Sequence, residues 1–294
     1  MIDLKRYPLD NPDKTHHLIM QCQEDLNRTG ACLLKGFIDS SLLPQMVSEV
    51  TNLQSWHRKW PVTAYHSHGK VSEADTILAM HSNDNNHAHP RFRLWRQDVH
   101  AVANINIPHH ALLKRIYQST MIKEFLAAVL NKPALYEYAD EMQCLNVMYM
   151  KDGGERAWHY DKSDCVVTIL LQSPEYGGQF EYAPFIRGNG KINAAHECEN
   201  EHYADVNALF EGRQPRVNVE QLETHEGDML IFNGMRSLHR VTRVRGPTER
   251  IIAVLSYDTK PAEEQTLPSE EVNEMMYGPR KTQKAHRAQS QSEN

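Results

Sequence analysis

Four side chains in the C-terminal half of the sequence have types and spacing suited to chemistry. They are His159 and Asp161 in AWHYDKSDCVVTILLQ, His239 at the start of HRVTRV, and Arg250 at the head of RIIAVLSY. Residues two apart on an extended strand project from the same face, about 7 Å apart at the Cα, so His159 and Asp161 can converge on one ion. An isolated His-x-Asp pair also reads as two solvated residues at a strand end. His239 changes that balance, because it follows the turn-and-strand unit EGDMLIFNG and brings a second imidazole. Two imidazoles and one carboxylate on one face of a divalent ion leave three coordination positions open. That is the habit of redox-active non-haem Fe(II), not the closed shell of a structural zinc. Arg250 opens the next strand, where its planar fork suits a dicarboxylate held through two parallel hydrogen bonds. Taken separately, Arg250 reads as a surface arginine.

Holding these groups requires short strands joined by tight turns, and the sequence supplies both from about residue 134. The segments LNVMYM, CVVTILLQ, QFEY, DMLIFN, HRVTRV and RIIAVLSY are separated by Gly153-Gly154, Ser173-Pro174, Gly177-Gly178, Asn233-Gly234 and Gly246-Pro247. Such spacing predicts an antiparallel sandwich or barrel. Alternation along RIIAVLSY places Arg250, Ile252, Val254 and Ser256 on one face. The front of the chain is helical. Asn11-Pro12-Asp13 caps a helix through Leu18, Cys22 and Leu26 to Gly30, a second helix follows Ser40-Ser41, and 111–131 has helical periodicity with Leu112, Ile116, Phe125 and Val129 facing a core. The expected class is α+β. Residues 1–133 form a helical support with a lid-like segment, and 134–260 form a jelly-roll catalytic core with an insertion at 188–216. Residues 261–280 form a C-terminal extension, and 281–294 form a tail too poor in apolar residues to order itself.

A net charge of −6 gives no general attraction to nucleic acid or anionic membranes, which favours a small-molecule partner. No stretch approaches a membrane span, the N-terminus lacks an apolar signal core, and the five cysteines show no CxxC spacing. A reducing, cytoplasmic setting is the expectation. His66, His68, His81, His87 and His89 cluster in polar sequence between 61 and 110. They read as a solvated lid loop, as substrate or lid contacts, or as a second metal site. Cys165 reads as an apolar strand residue.

The order and spacing of His159, Asp161, His239 and Arg250 resemble the Fe(II)/2-oxoglutarate-dependent dioxygenases. More narrowly, WHYDKSDCVVTILLQSPEYGGQFEYAPFIR, GDMLIFNGMRSLHRVTRV and YGPR resemble the subfamily of free-amino-acid (lysine-type) radical halogenases and related hydroxylases. The resemblance implies a double-stranded β-helix, or cupin-like, core. It assigns Fe(II) to His159, Asp161 and His239 and the distal carboxylate of 2-oxoglutarate to Arg250. O2 is consumed, succinate and CO2 are coproducts, and ascorbate is an optional stimulant. The halogenases have a small residue where this chain has Asp161, and the vacancy admits chloride to the iron; a carboxylate there implies hydroxylation instead. Many relatives carry a serine two residues after the arginine, where this chain has Ile252. The resemblance also points to Glu141, Arg156, Trp158, Lys162, Val254 and Ser256 as contacts for a free amino acid or derivative. Glu141, Arg156 and Lys162 read equally as rim charges, and Trp158 reads equally as packing beneath its strand. Desaturation of a natural-product intermediate and a non-catalytic cupin-like metal protein are the competing functions.

Overall fold

The computed structural model describes residues 1–53, 58–59, 63–64, 94–95, 97–164, 166–192, 198 and 201–278. The histidine cluster at 66–89, Cys165 and the tail at 281–294 lie outside the described residues. The strands in chain order are β1 (Ala31–Leu34), β2 (Arg58–Lys59), β3 (Thr63–Ala64), β4 (Leu94–Trp95), β5 (His100–Val102), β6 (Tyr136–Glu137) and β7 (Leu145–Met150). They continue as β8 (Arg156–His159), β9 (Val166–Gln172), β10 (Phe180–Ala183), β11 (Glu220–Leu222), β12 (Met229–Phe232), β13 (Leu238–Val241) and β14 (Arg250–Asp258).

The major sheet runs β1-β12-β9-β14-β7-β5-β2, with β6 on the far end of β14, and the minor sheet runs β11-β10-β13-β8. The pairings within both are antiparallel. Strict alternation gives the major sheet two different faces. Tyr149, Ile169, Ile231 and Leu255 point outward into a core shared with the helices Pro12–Thr29, Leu43–Thr51, Leu112–Tyr117 and Thr120–Val129, where Met46, Ile116, Ile122 and Leu126 are fully buried. Each such side chain contributes about 1.5–3 kcal/mol on burial, so the helical layer anchors the major sheet. Met148, Met150, Leu230 and Ile252 point inward toward Phe180, Tyr182 and Val241 of the minor sheet. Two antiparallel sheets closing on one interior make a double-stranded β-helix with flanking helices.

The major sheet is not confined to residues 134–260, since β1, β2 and β5 come from the segment before residue 103. The first helix, Pro12–Thr29, is capped by the Asn11 side chain and ends at Gly30 with φ 78°, and the chain then turns directly into β1. The expected helix over 111–131 is two helices, because Ser119 caps the second through the Ile122 amide. Beyond the core, Glu270–Tyr277 forms a helix in what reads as extension. Buried hydrogen bonds dock it, from Tyr277 Oη to Asn146 Oδ1 at 2.9 Å and from Asn273 Nδ2 to Asp140 Oδ2 at 2.7 Å. Such polar docking leaves little trace in an apolar pattern. No helix among the described residues is long and apolar enough to cross a membrane.

Candidate active site

Strand β8 stops at His159, so Asp161 does not share a strand with it. The two side chains meet by another route. His159 pairs with His239 and Arg156 pairs with Val241, a register in which β8 takes three steps where β13 takes two. This β-bulge turns both Arg156 and His159 toward the interior, which simple alternation would forbid. The chain then leaves the sheet, and the Asp161 amide donates to the Gly234 carbonyl at 3.0 Å in the turn between β12 and β13. Asp161 Oδ1 stands 3.9 Å from His159 Nε2 and 3.6 Å from His239 Nε2. Donors about 2.1 Å from one ion and at right angles stand about 3 Å apart, so small adjustments would close the three around a metal.

The imidazoles are oriented for that task. Nδ1 of His159 lies 2.9 Å from the Ala157 carbonyl oxygen, and Nδ1 of His239 lies 3.0 Å from that of Ser237. A carbonyl can only accept, so Nδ1 carries the proton in each ring and Nε2 offers its lone pair to the interior. The His239 ring packs against Phe232, centroids 4.9 Å apart, and Phe180, 5.5 Å apart. Contacts of this type are each worth about 0.5–1.5 kcal/mol beyond burial, enough to hold one rotamer. His159, Asp161 and His239 form a cluster of metal-binding side chains with their donor atoms within 4.8 Å of one another.

Gly234 sets how close the carboxylate can come. A Cβ at this position would overlap the Asp161 carboxylate, so the absence of a side chain makes room for the third donor. Gly234→Ala is expected to push Asp161 away and weaken metal binding by roughly 10–100-fold, the range for disturbed ligand support. Metal titration of the stripped variant checks this, and affinity equal to wild type would contradict it.

Arg250 lines the same cavity and is almost fully buried. Its Nε donates to the Gly178 carbonyl at 3.0 Å, while its Nη1 is buried with no hydrogen-bond partner among the described residues. Burial, and secondarily the Arg156 guanidinium, lower its pKa to about 10. A buried cation with an unused donor is a strong site for an incoming carboxylate. Arg156 lines the same cavity, with Nη1 3.1 Å from Met148 Sδ. Burial lowers its pKa as well, opposed by Asp161. Most of the other lining residues are apolar, and Thr168 and Thr224 add hydroxyls. Asp228 also reaches the cavity, but its carboxylate already accepts from the Gly36 and His225 amides at 2.7 and 2.8 Å.

Of the residues expected to contact substrate, Val254 lines the cavity with Arg156, whereas Glu141, Trp158, Lys162 and Ser256 do not. Trp158 is turned to the opposite face of β8. It packs there with Ile186, Leu209 and Leu238, under the Arg240 guanidinium at 4.7 Å. Glu141 is exposed, and Lys162 is half-buried with its pKa lowered by burial. Gly178 and Gly234, which seat Arg250 and Asp161, read in sequence only as turn residues.

No curated protein matches the chain. Solved structures match its fold at low identity. AviO1 from Streptomyces viridochromogenes Tue57 is 13% identical with a TM-score of 0.52, covering 85% of this chain and 97% of that one. The epimerase SnoN, in complex with Fe3+, α-ketoglutarate and nogalamycin RO, is 12% identical with a TM-score of 0.53 over 86% and 91%. The carbocyclase SnoK from nogalamycin biosynthesis, a non-haem α-ketoglutarate-dependent protein, is 11% identical with a TM-score of 0.51 over 81% and 82%. The family model described as Halogenase D matches residues 67–278, which hold all four of the residues that converge on the cavity. The chain therefore belongs to the halogenase D family, on the fold of the Fe(II)/2-oxoglutarate-dependent oxygenases.

Proposed function

We propose that the protein is an Fe(II)/2-oxoglutarate-dependent oxygenase that hydroxylates an unactivated C–H bond of a small, amino-acid-like substrate. The observation that carries this reading is the joining of two groups in one cavity: three metal-binding side chains and a buried arginine with an unused donor line the same space. In this reading His159, His239 and Asp161 hold Fe(II), and Arg250 holds the distal carboxylate of 2-oxoglutarate. Bound together, the metal and cosubstrate supply oxidation of the C–H bond by O2, with succinate and CO2 as coproducts.

The chain's own residues ligate, orient and keep water out. Met148, Met150, Leu230, Phe232 and Ile252 give the cavity an apolar lining, where charge–charge contacts are stronger than in water. Arg156 supplies a second cation suited to a substrate carboxylate, and a neutral wall at Val254 favours an apolar side chain over a charged one. A carboxylate at position 161 fills the place that a halide would need, which favours hydroxyl transfer within a family described by halogenation.

The test is succinate release by purified protein with Fe(II), ascorbate and 2-oxoglutarate in air, across a panel of free L-amino acids, with mass spectrometry of each mixture. Stimulation by one amino acid with a gain of one oxygen supports the proposal. A chlorinated product, loss of two hydrogens, or no amino-acid-dependent turnover overturns it.

A further inference from the structure

Behind β8, on the side away from the cavity, lies a charged residue that the proposed chemistry does not use. Arg187 and its partner Glu201 are both buried, with side-chain exposures of 1% and 0%, and Nε donates to Glu201 Oε2 at 3.2 Å. A buried ion pair of this kind adds little net stability compared with apolar packing. Its geometry, however, ties three segments together. The guanidinium carbon lies over the Tyr160 ring, 3.5 Å from its centroid, and Tyr160 is the residue between His159 and Asp161. Nη1 donates to the Met235 carbonyl at 2.9 Å, and the Arg187 amide donates to that of Arg236 at 3.2 Å. Those carbonyls belong to the turn whose Gly234 receives the Asp161 amide and which leads into His239. From the insertion, Cys198 Sγ donates to the Arg187 carbonyl at 3.2 Å.

We propose that Arg187 is a positioning residue for the metal centre: seated by Glu201, it clamps Tyr160 to the 233–236 turn and so sets the distance between the segment bearing His159 and Asp161 and the segment leading to His239. This rests on the metal-site reading above. The cation–π face and the forked donors both require a planar guanidinium, so a lysine could not reproduce the clamp. Support of this kind, one layer behind the ligands, tunes metal affinity without touching the ion.

The experiment is Co(II) titration of the metal-stripped, full-length protein, followed by ligand-field absorption, with thermal melting in the absence of metal. Three proteins are compared with wild type. In the first, Arg187→Met is combined with Glu201→Gln so that no buried charge is left alone. The second is Tyr160→Leu, which keeps the ion pair and loses the ring. The third is Val206→Ala, which opens the same apolar cluster without touching the clamp. Weakening of Co(II) binding by about 10–100-fold with an altered absorption band is expected in the first two. Wild-type affinity and band are expected in Val206→Ala even where its melting temperature falls as far. Unchanged affinity and band in the double variant overturn the proposal, as does an equal loss in Val206→Ala. If the double variant does not fold, Tyr160→Leu decides by the same criteria. Wild-type protein that binds no Co(II) overturns the metal-site reading and this inference with it, whereas wild-type binding left intact by the variants overturns this inference alone.

Discussion

Asp161→Ala is expected to abolish turnover while leaving a folded protein, with affinity for Fe(II) or a surrogate ion lowered by more than about 100-fold. Losing a direct ligand must cost more than the 10–100-fold seen for groups that merely support ligands. The fold should survive because Asp161 lies outside β8 and its side chain belongs to none of the apolar clusters. Its backbone tie to Gly234 does not depend on the side chain. Circular dichroism and melting temperature check the fold, and anaerobic titration checks the metal. Full turnover in this variant would remove Asp161 from the site.

Arg250→Met is expected to raise the apparent KM for 2-oxoglutarate by roughly 100-fold, since losing one side of a buried charge-assisted pair costs about 2–5 kcal/mol. Metal affinity and the KM for the substrate should change little. An unchanged KM for 2-oxoglutarate would count against the role. Burial, with repulsion from Arg156, lowers the pKa of Arg250. A guanidinium nevertheless keeps its charge throughout the range in which the protein works, so equilibrium binding of 2-oxoglutarate without oxygen is expected to show no pH dependence from this group near neutrality.

The donor set was legible in sequence because its members are marked by type and by position at strand ends. His159, Asp161 and His239 come together, and Arg250 faces the same interior as Ile252 and Val254. The strand-rich core and the opening helix were legible for a similar reason, since alternation, an Asn-Pro start and a glycine stop are local signals. What stayed hidden is non-local. The bulge that turns Arg156 inward is a property of the pairing with β13, and four-residue β1 becomes visible as a strand only beside β12. Arg187 and Glu201 are buried only because the insertion folds back over β8, so as isolated charges they resemble any surface pair. Trp158 shows the limit in the other direction. An aromatic next to a ligand suggests contact with substrate, yet the register sends it to the outer face.

The end of β8 before Asp161 has a consequence for how a family like this can diversify. The two imidazoles are held by ladder pairing, buried rings and carbonyl contacts, whereas the third donor projects from coil opposite a glycine that leaves a socket of carboxylate size. A single codon change at 161 could therefore trade an oxygen ligand for open space, with the sheets and helices undisturbed. The fold does not rest on the carboxylate at 161, so a lineage can lose or replace the third donor without passing through an unfolded ancestor.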